Sequence, residues 1–191
     1  MFKESITKEE LIGLPLKHFE GKIFVIDSYE KVCPAVEILS TQRVIGFDTE
    51  TRPSFQKGII HKLSLLQLAT NEQAFLFRIN KIGLPPEIRN ILTNPEIIKP
   101  GVAIRDDIKG LQKIHKFKPD GFIELQSYAR ELGIQDFSLK KLTAIVCGFR
   151  ISKSQQVTNW EAETLTEAQI VYAATDAWTA LEIYKQLKNP L

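Results

Sequence analysis

Four acids and a tyrosine in this chain have the types and spacing that metal-assisted hydrolysis needs. Asp48 and Glu50 stand two apart in Val44-Ile45-Gly46-Phe47-Asp48-Thr49-Glu50-Thr51, at the exit of a run that is otherwise apolar. Alternation along a strand puts both carboxylates on one face. Two anions held that close raise each other's pKa unless a cation lies between them. A divalent ion bound through carboxylate oxygens is the simplest such cation. Asp106 and Asp107 open a helix, where the macrodipole favours acids. Helical spacing sets Asp107 on the face of Ile104, Leu111 and Ile114, and Asp106 with Lys109 and Lys113. An inward carboxylate is costly unless paired or metal-bound, so Asp107 is the candidate, and Asp106 is a helix-start acid within reach of Lys109. Tyr172 and Asp176 are four apart on one face of the last helix, at the margin of an apolar stripe. A phenol beside a carboxylate there can orient a water. Such a cluster, drawn from three separated segments, is what phosphoryl chemistry with two divalent ions requires.

These segments need a scaffold. Ile23–Ile26, Val44–Thr49, Lys62–Ala69, Gln73–Arg78, Ile97–Val102 and Gly121–Leu125 read as strands. Ser28 is placed to cap a helix over 29–41, with Pro34 tolerated near its first turn. Further helices are expected from Pro86 to Leu92, 105–115, 127–132 and 138–146, with 148–164 a polar loop. Thr166 and Gln169 have capping-box spacing, and Leu165 with Ile170 has staple spacing, for a last helix running to Asn189-Pro190. Strands first, then strands alternating with helices, predict an α/β fold with a mixed central sheet flanked by helices.

The chain has 191 residues, enough for one domain with a real core, and residues 1–22 read as an N-terminal arm before a single domain over 23–191. No apolar run approaches the length of a membrane helix, and the charged N-terminus has no signal-peptide pattern. Cys33 and Cys147 are isolated and form no metal-spaced pair, which fits a reducing, cytoplasmic setting. A net charge of +2 leaves any nucleic-acid surface to local patches.

The motifs resemble those of the DEDD superfamily of 3′–5′ exonucleases, in the subgroup with a tyrosine in its third motif. The chain looks most like its Werner-type domains, and more distantly like ribonuclease D and polymerase I proofreading domains. Phe47-Asp48-Thr49-Glu50-Thr51-Arg52-Pro53 matches the first motif, Gly101-Val102-Ala103-Ile104-Arg105-Asp106-Asp107 the second, and Tyr172-Ala173-Ala174-Thr175-Asp176-Ala177 the third. Leu63–Ala69, Phe137–Leu142 and Asn159-Trp160 extend the likeness over about residues 23–187. The resemblance implies a ribonuclease H-like fold and two divalent ions, Mg²⁺ or Mn²⁺. It implies that Asp48, Glu50 and Asp176 hold the catalytic ion. Asp48 would bridge to the second ion, Asp107 would act near that ion through water, and Tyr172 would orient the attacking water. The substrate would be DNA or RNA with a free 3′ end, the Werner-type likeness favouring DNA. With no helicase, polymerase or HRDC-type segment after Leu191, the expectation is a stand-alone nuclease domain.

Other residues carry weaker expectations. Thr49, Lys153 and Trp160 are candidate substrate contacts, Trp160 and Phe149 by stacking on a base. For both aromatics core packing is the default reading. The lysine run over 109–118 would track a phosphate backbone or form a solvated helix face.

Overall fold

Caps and apolar runs place the elements in a computed structural model that describes residues 2–53 and 61–188. The arm carries α1 (Lys8–Gly13), started by a reciprocal capping box between Thr7 and Glu10. β1 (Lys22–Ile26) follows. The helix expected over 29–41 is two pieces, a 3-10 turn at Tyr29–Lys31 and α2 (Val32–Ser40). Ser28 makes no side-chain capping bond, and Pro34 sits in the first turn of α2, where no intrahelical N–H is lost.

β2 (Gly46–Thr51), β3 (Leu63–Ala69) and β4 (Gln73–Phe77) form an antiparallel meander. Val44, expected inside the second strand, makes only an isolated parallel bridge to Ile98. After β4 come α3 (Ile79–Ile82), α4 (Pro86–Thr93), β5 (Lys99–Gly101) and α5 (Arg105–Ile114). β5 is half its expected length, and Pro100 in its middle has no N–H for a ladder. β6 (Phe122–Glu124) leads straight into α6 (Leu125–Glu131), because the Glu124 carboxylate caps that helix through Gln126 N at 3.1 Å. The helix expected over 138–146 is α7 (Leu139–Leu142) and a π turn, Thr143–Cys147. There the Thr143 hydroxyl donates to Leu139 O at 2.6 Å, competing with the backbone ladder. α8 (Glu167–Lys188) ends the described chain, and the expected stop at Asn189-Pro190 lies outside the described residues.

The main sheet has the order β1-β4-β3-β2, with β1 parallel to β4 and the other pairs antiparallel. β5 and β6 pair in parallel, and the Val44–Ile98 bridge ties them to the β2 side. On one face, Phe47, Leu66, Leu68, Phe75 and Phe77 pack against α2 and α4. On the other, Leu65, Ala69, Ala74 and Leu76 meet Ala173, Ala174 and Ala177 of α8. Each large side chain so buried contributes about 1.5–3 kcal/mol.

Closeness of α8 to the sheet depends on Gly46. A Cβ there would lie 1.8 Å from Ala177 O, so only glycine admits the helix. Among the described residues no helix is long and apolar enough to cross a membrane.

Candidate active site

β2 and α8 bring the first and third acid motifs together. Asp48 and Glu50 project from one face of β2, and Asp176 reaches them from α8. Each of the three offers a carboxylate oxygen, and these atoms lie within 4.8 Å of one another. The helix is fixed at its start by the expected capping box, Thr166 N to Gln169 Oε1 at 3.0 Å and Gln169 N to Thr166 Oγ1 at 3.3 Å. The β2–β3 register slips between Glu50 and Thr51, so the ladder turns irregular where the acids end.

The second motif divides as its spacing predicts. Asp106 is exposed and pairs with Lys109 at 3.1 Å. Asp107 turns inward and accepts from the Thr49 hydroxyl, which leaves β2 on the face opposite Asp48 and Glu50. Asp107 stands outside the triad of Asp48, Glu50 and Asp176, but its charge bears on Asp48 and Glu50. The start of α5 is set by Glu124, whose carboxylate accepts from Ala103 N and Ile104 N, both at 2.9 Å. Ala103 has φ 59°, a left-handed conformation that costs a side-chain-bearing residue energy. Two charge-assisted bonds to Glu124 hold that turn, and with it Asp107.

Burial and mutual repulsion dominate the electrostatics. Burial first, then the charges of Asp176, Glu50 and Asp107, hold the Asp48 carboxyl well above its ordinary range. Glu50 is pushed up to about 9 by burial and by Asp176 and Asp107. Asp176 rises to about 7 by burial, with the Tyr172 hydroxyl and the Lys153 charge pulling the other way. Burial also raises the Tyr172 phenol, aided by Asp176 and Glu50, so at neutral pH it is a hydrogen-bond donor and not a base. Among the described residues none of the three triad acids has an ion-pair partner.

This donor set fits a divalent cation. It consists of hard carboxylate oxygens, converging and uncompensated, in a cavity of about 250 Å³. A cation there would offset the burial that raises all three acids and the repulsion that adds to it at Asp48 and Glu50.

Lys153, Tyr172 and Thr49 line the same cavity, with Ser138, Lys140 and Gln156. The Thr49 hydroxyl is already committed to Asp107. Trp160 does not line the cavity. It is 0% exposed and lies behind Tyr172, ring centroids 6.0 Å apart, so stacking on a base is replaced by core packing. Phe149 is likewise buried, stacked on Trp178 at 5.5 Å.

Two features escaped the sequence reading. Gly46 lets α8 approach, and a glycine inside a strand was the available signal. Gln67 is fully buried directly across the ladder from Asp48, with no partner among the described residues for either side-chain amide atom. In sequence it is a polar residue set among Leu65, Leu66, Leu68 and Ala69 in an otherwise apolar stretch.

Comparison with known proteins agrees with this geometry. Residues 23–191 match the 3′-5′ exonuclease family described as DNA_pol_A_exo1. The bifunctional 3′-5′ exonuclease/ATP-dependent helicase WRN of Mus musculus is 34% identical over 189 residues, which is 93% of this chain and 13% of that protein. An exonuclease mut-7 homolog of Aedes aegypti is 27% identical over 197 residues, 90% of this chain and 27% of that protein. The chain thus spans only a small part of either relative. Among solved structures, the EXO domain of Aedes aegypti Nibbler superposes with TM-score 0.80 at 24% identity, covering 90% of this chain and 91% of that one. Escherichia coli RNase D, an exoribonuclease involved in structured RNA processing, superposes with TM-score 0.79 at 26% identity, covering 87% and 44%.

Proposed function

Because this chain belongs to the 3′-5′ exonuclease family, with a ribonuclease H-like mixed α/β fold, we propose that it removes nucleoside 5′-monophosphates one at a time from nucleic-acid 3′ ends, acting on DNA. The observation that carries this reading is the convergence of Asp48, Glu50 and Asp176 within 4.8 Å, beside Tyr172, in one cavity. Residues 23–191 constitute the exonuclease domain in this reading, and residues 1–22 are an arm packed on it.

Two divalent ions, Mg²⁺ or Mn²⁺, would complete the site. Asp48, Glu50 and Asp176 would hold one, and Asp48, with Asp107 through water, would hold the other. Bound there, such ions supply charge stabilisation of the phosphoryl group and of the attacking and leaving oxygens. The chain's own residues do the rest. The protonated Tyr172 hydroxyl donates to the attacking water, and Glu50 beside it accepts from the same water. Lys153 sets a positive charge at the cavity mouth for the scissile phosphate. Thr49 holds Asp107 in orientation. The water oxygen bonds to phosphorus as the bond to the 3′ oxygen breaks, leaving a shortened strand with a 3′ hydroxyl and a free 5′-monophosphate. Grip on the strand comes from backbone contacts, so sequence preference is weak.

A second reading, action on RNA, is favoured by the likeness to the Escherichia coli exoribonuclease at 26% identity. Incubating a 3′-recessed DNA duplex and a single-stranded RNA with Mg²⁺ or Mn²⁺ tests both. Stepwise shortening from the 3′ end supports the exonuclease and shows which polymer it takes. Loss of neither substrate sinks the reading.

A further inference from the structure

A second cavity, of about 230 Å³, shares Tyr172 and Ser152 with the first. Its walls are Leu16, Lys17 and His18 of the arm, part of the loop after Arg150, and the Val171 side of α8. The arm is pinned here by backbone. Lys17 N donates to Arg150 O at 2.9 Å, and Arg150 N to Pro15 O at 2.9 Å. Arg150 Nε reaches Leu14 O at 3.0 Å, and the buried Phe19 donates its N–H to Thr175 Oγ1 at 3.0 Å.

Between these anchors Leu16 stays 53% exposed. The flanking bonds hold its backbone in place, and about half of its surface stays open beside the cavity. Lys17 and His18 are exposed beside it, and among the described residues no acid lines this cavity, in contrast to the three acids in the first. An apolar floor with a basic rim and no opposing carboxylate suits a nucleobase and its phosphate.

We infer that this cavity takes the nucleotide one step back from the 3′ end, its base against Leu16 and Val171 and its phosphate beside Lys17 and His18. This rests on the exonuclease reading. The scissile phosphate joins the last two nucleosides, and Tyr172, the wall common to both cavities, stands where that joint must pass. The arm, which lies outside the matched residues 23–191, is thereby part of the substrate site.

Leu16→Glu and Lys17→Glu test this at exposed positions whose backbone bonds survive the change. Three substrates are compared with Mn²⁺: thymidine 5′-(p-nitrophenyl) phosphate, which has a single nucleoside, a 5′-phosphorylated thymidine dinucleotide (pTpT), whose upstream nucleoside carries the phosphate assigned to Lys17, and a thymidine decanucleotide. Each variant should raise KM about tenfold on the two longer substrates. The nitrophenyl ester should lose less than about twofold in kcat/KM. Anisotropy of a labelled decanucleotide in Ca²⁺ should show the same tenfold loss of affinity without turnover. Unchanged affinity, or an equal loss on all three substrates, overturns the inference. If the parent binds the decanucleotide in a Leu16-dependent way but cleaves nothing, the exonuclease reading fails and the groove stands.

Discussion

The buried acids of β2 and α8 and the buried bases Lys99 and Arg78 meet the same desolvation cost in opposite ways. Lys99 is 0% exposed, and its ammonium donates to Ile91 O at 3.0 Å, Asn94 O at 2.8 Å and Ile97 O at 2.5 Å. Its three donors are used, and it stays charged at neutral pH although burial draws its pKa to about 8. Arg78 is 1% exposed and donates to Ala162 O and Glu163 O, tying the long polar loop to the end of β4. The acids have no such completion: they face one another, and their pKa values rise. A buried charge that the chain satisfies by itself, fully at Lys99 and through the terminal guanidinium nitrogens at Arg78 although its Nε has no partner among the described residues, belongs to the fold. One that it leaves open to a missing counter-charge belongs to the chemistry.

Breaking either side of this contrast should give opposite results. Asp48→Asn should cut 3′-end hydrolysis by about a thousandfold or more, several kcal/mol of charge stabilisation being lost, while the metal-free protein stays folded. Gel analysis of a 3′-recessed duplex and circular dichroism read the two halves. Lys99→Met should do the reverse, stranding three carbonyls and costing about 2–4 kcal/mol in urea unfolding, with activity per folded molecule retained. Tyr172→Phe removes only the hydroxyl and should lower kcat about 10- to 100-fold with KM unchanged, visible in initial rates.

The acids also fix a sign for pH. Glu50 has an ordinary value of 4.5 and a folded value of about 9, so between those limits the folded, metal-free protein binds more protons than the unfolded chain. Its stability should therefore fall as pH rises through that window, and Asp176, raised to about 7, adds in the same direction. Denaturant melts in EDTA at several pH values check this. The smallest effect is at Gln67. Gln67→Leu removes an unpartnered buried amide and should raise metal-free stability by about 1 kcal/mol in the same melts.

Much of this contrast was legible in sequence. The i, i+2 spacing of Asp48 and Glu50 and the helical faces separating Asp107 from Asp106 are local periodicities, and both held. So did the capping box at Thr166, because it is closed by neighbours in the chain. What depends on approach in space was not legible. For Trp160 the sequence left base stacking open beside core packing as the default, and it is Arg78, drawing the polar loop onto the sheet, that buries the ring. Helix 138–146 broke at a threonine whose hydroxyl found a backbone carbonyl. The opposition of Gln67 to Asp48, and the arm's hold on Arg150, exist only once strands are registered and residues far apart in the chain meet.

The central claim is that three repelling carboxylates await a cation, and Mn²⁺ titration of the metal-free protein followed by thermal unfolding tests it most directly. The parent's midpoint should climb with Mn²⁺, by the equivalent of about 2.7 kcal/mol at a hundred times the dissociation constant. The Asp48→Asn/Asp176→Asn double variant should start at a higher midpoint in EDTA and stay there as Mn²⁺ is added. A parent indifferent to Mn²⁺, or a double variant that responds as strongly, would contradict the account.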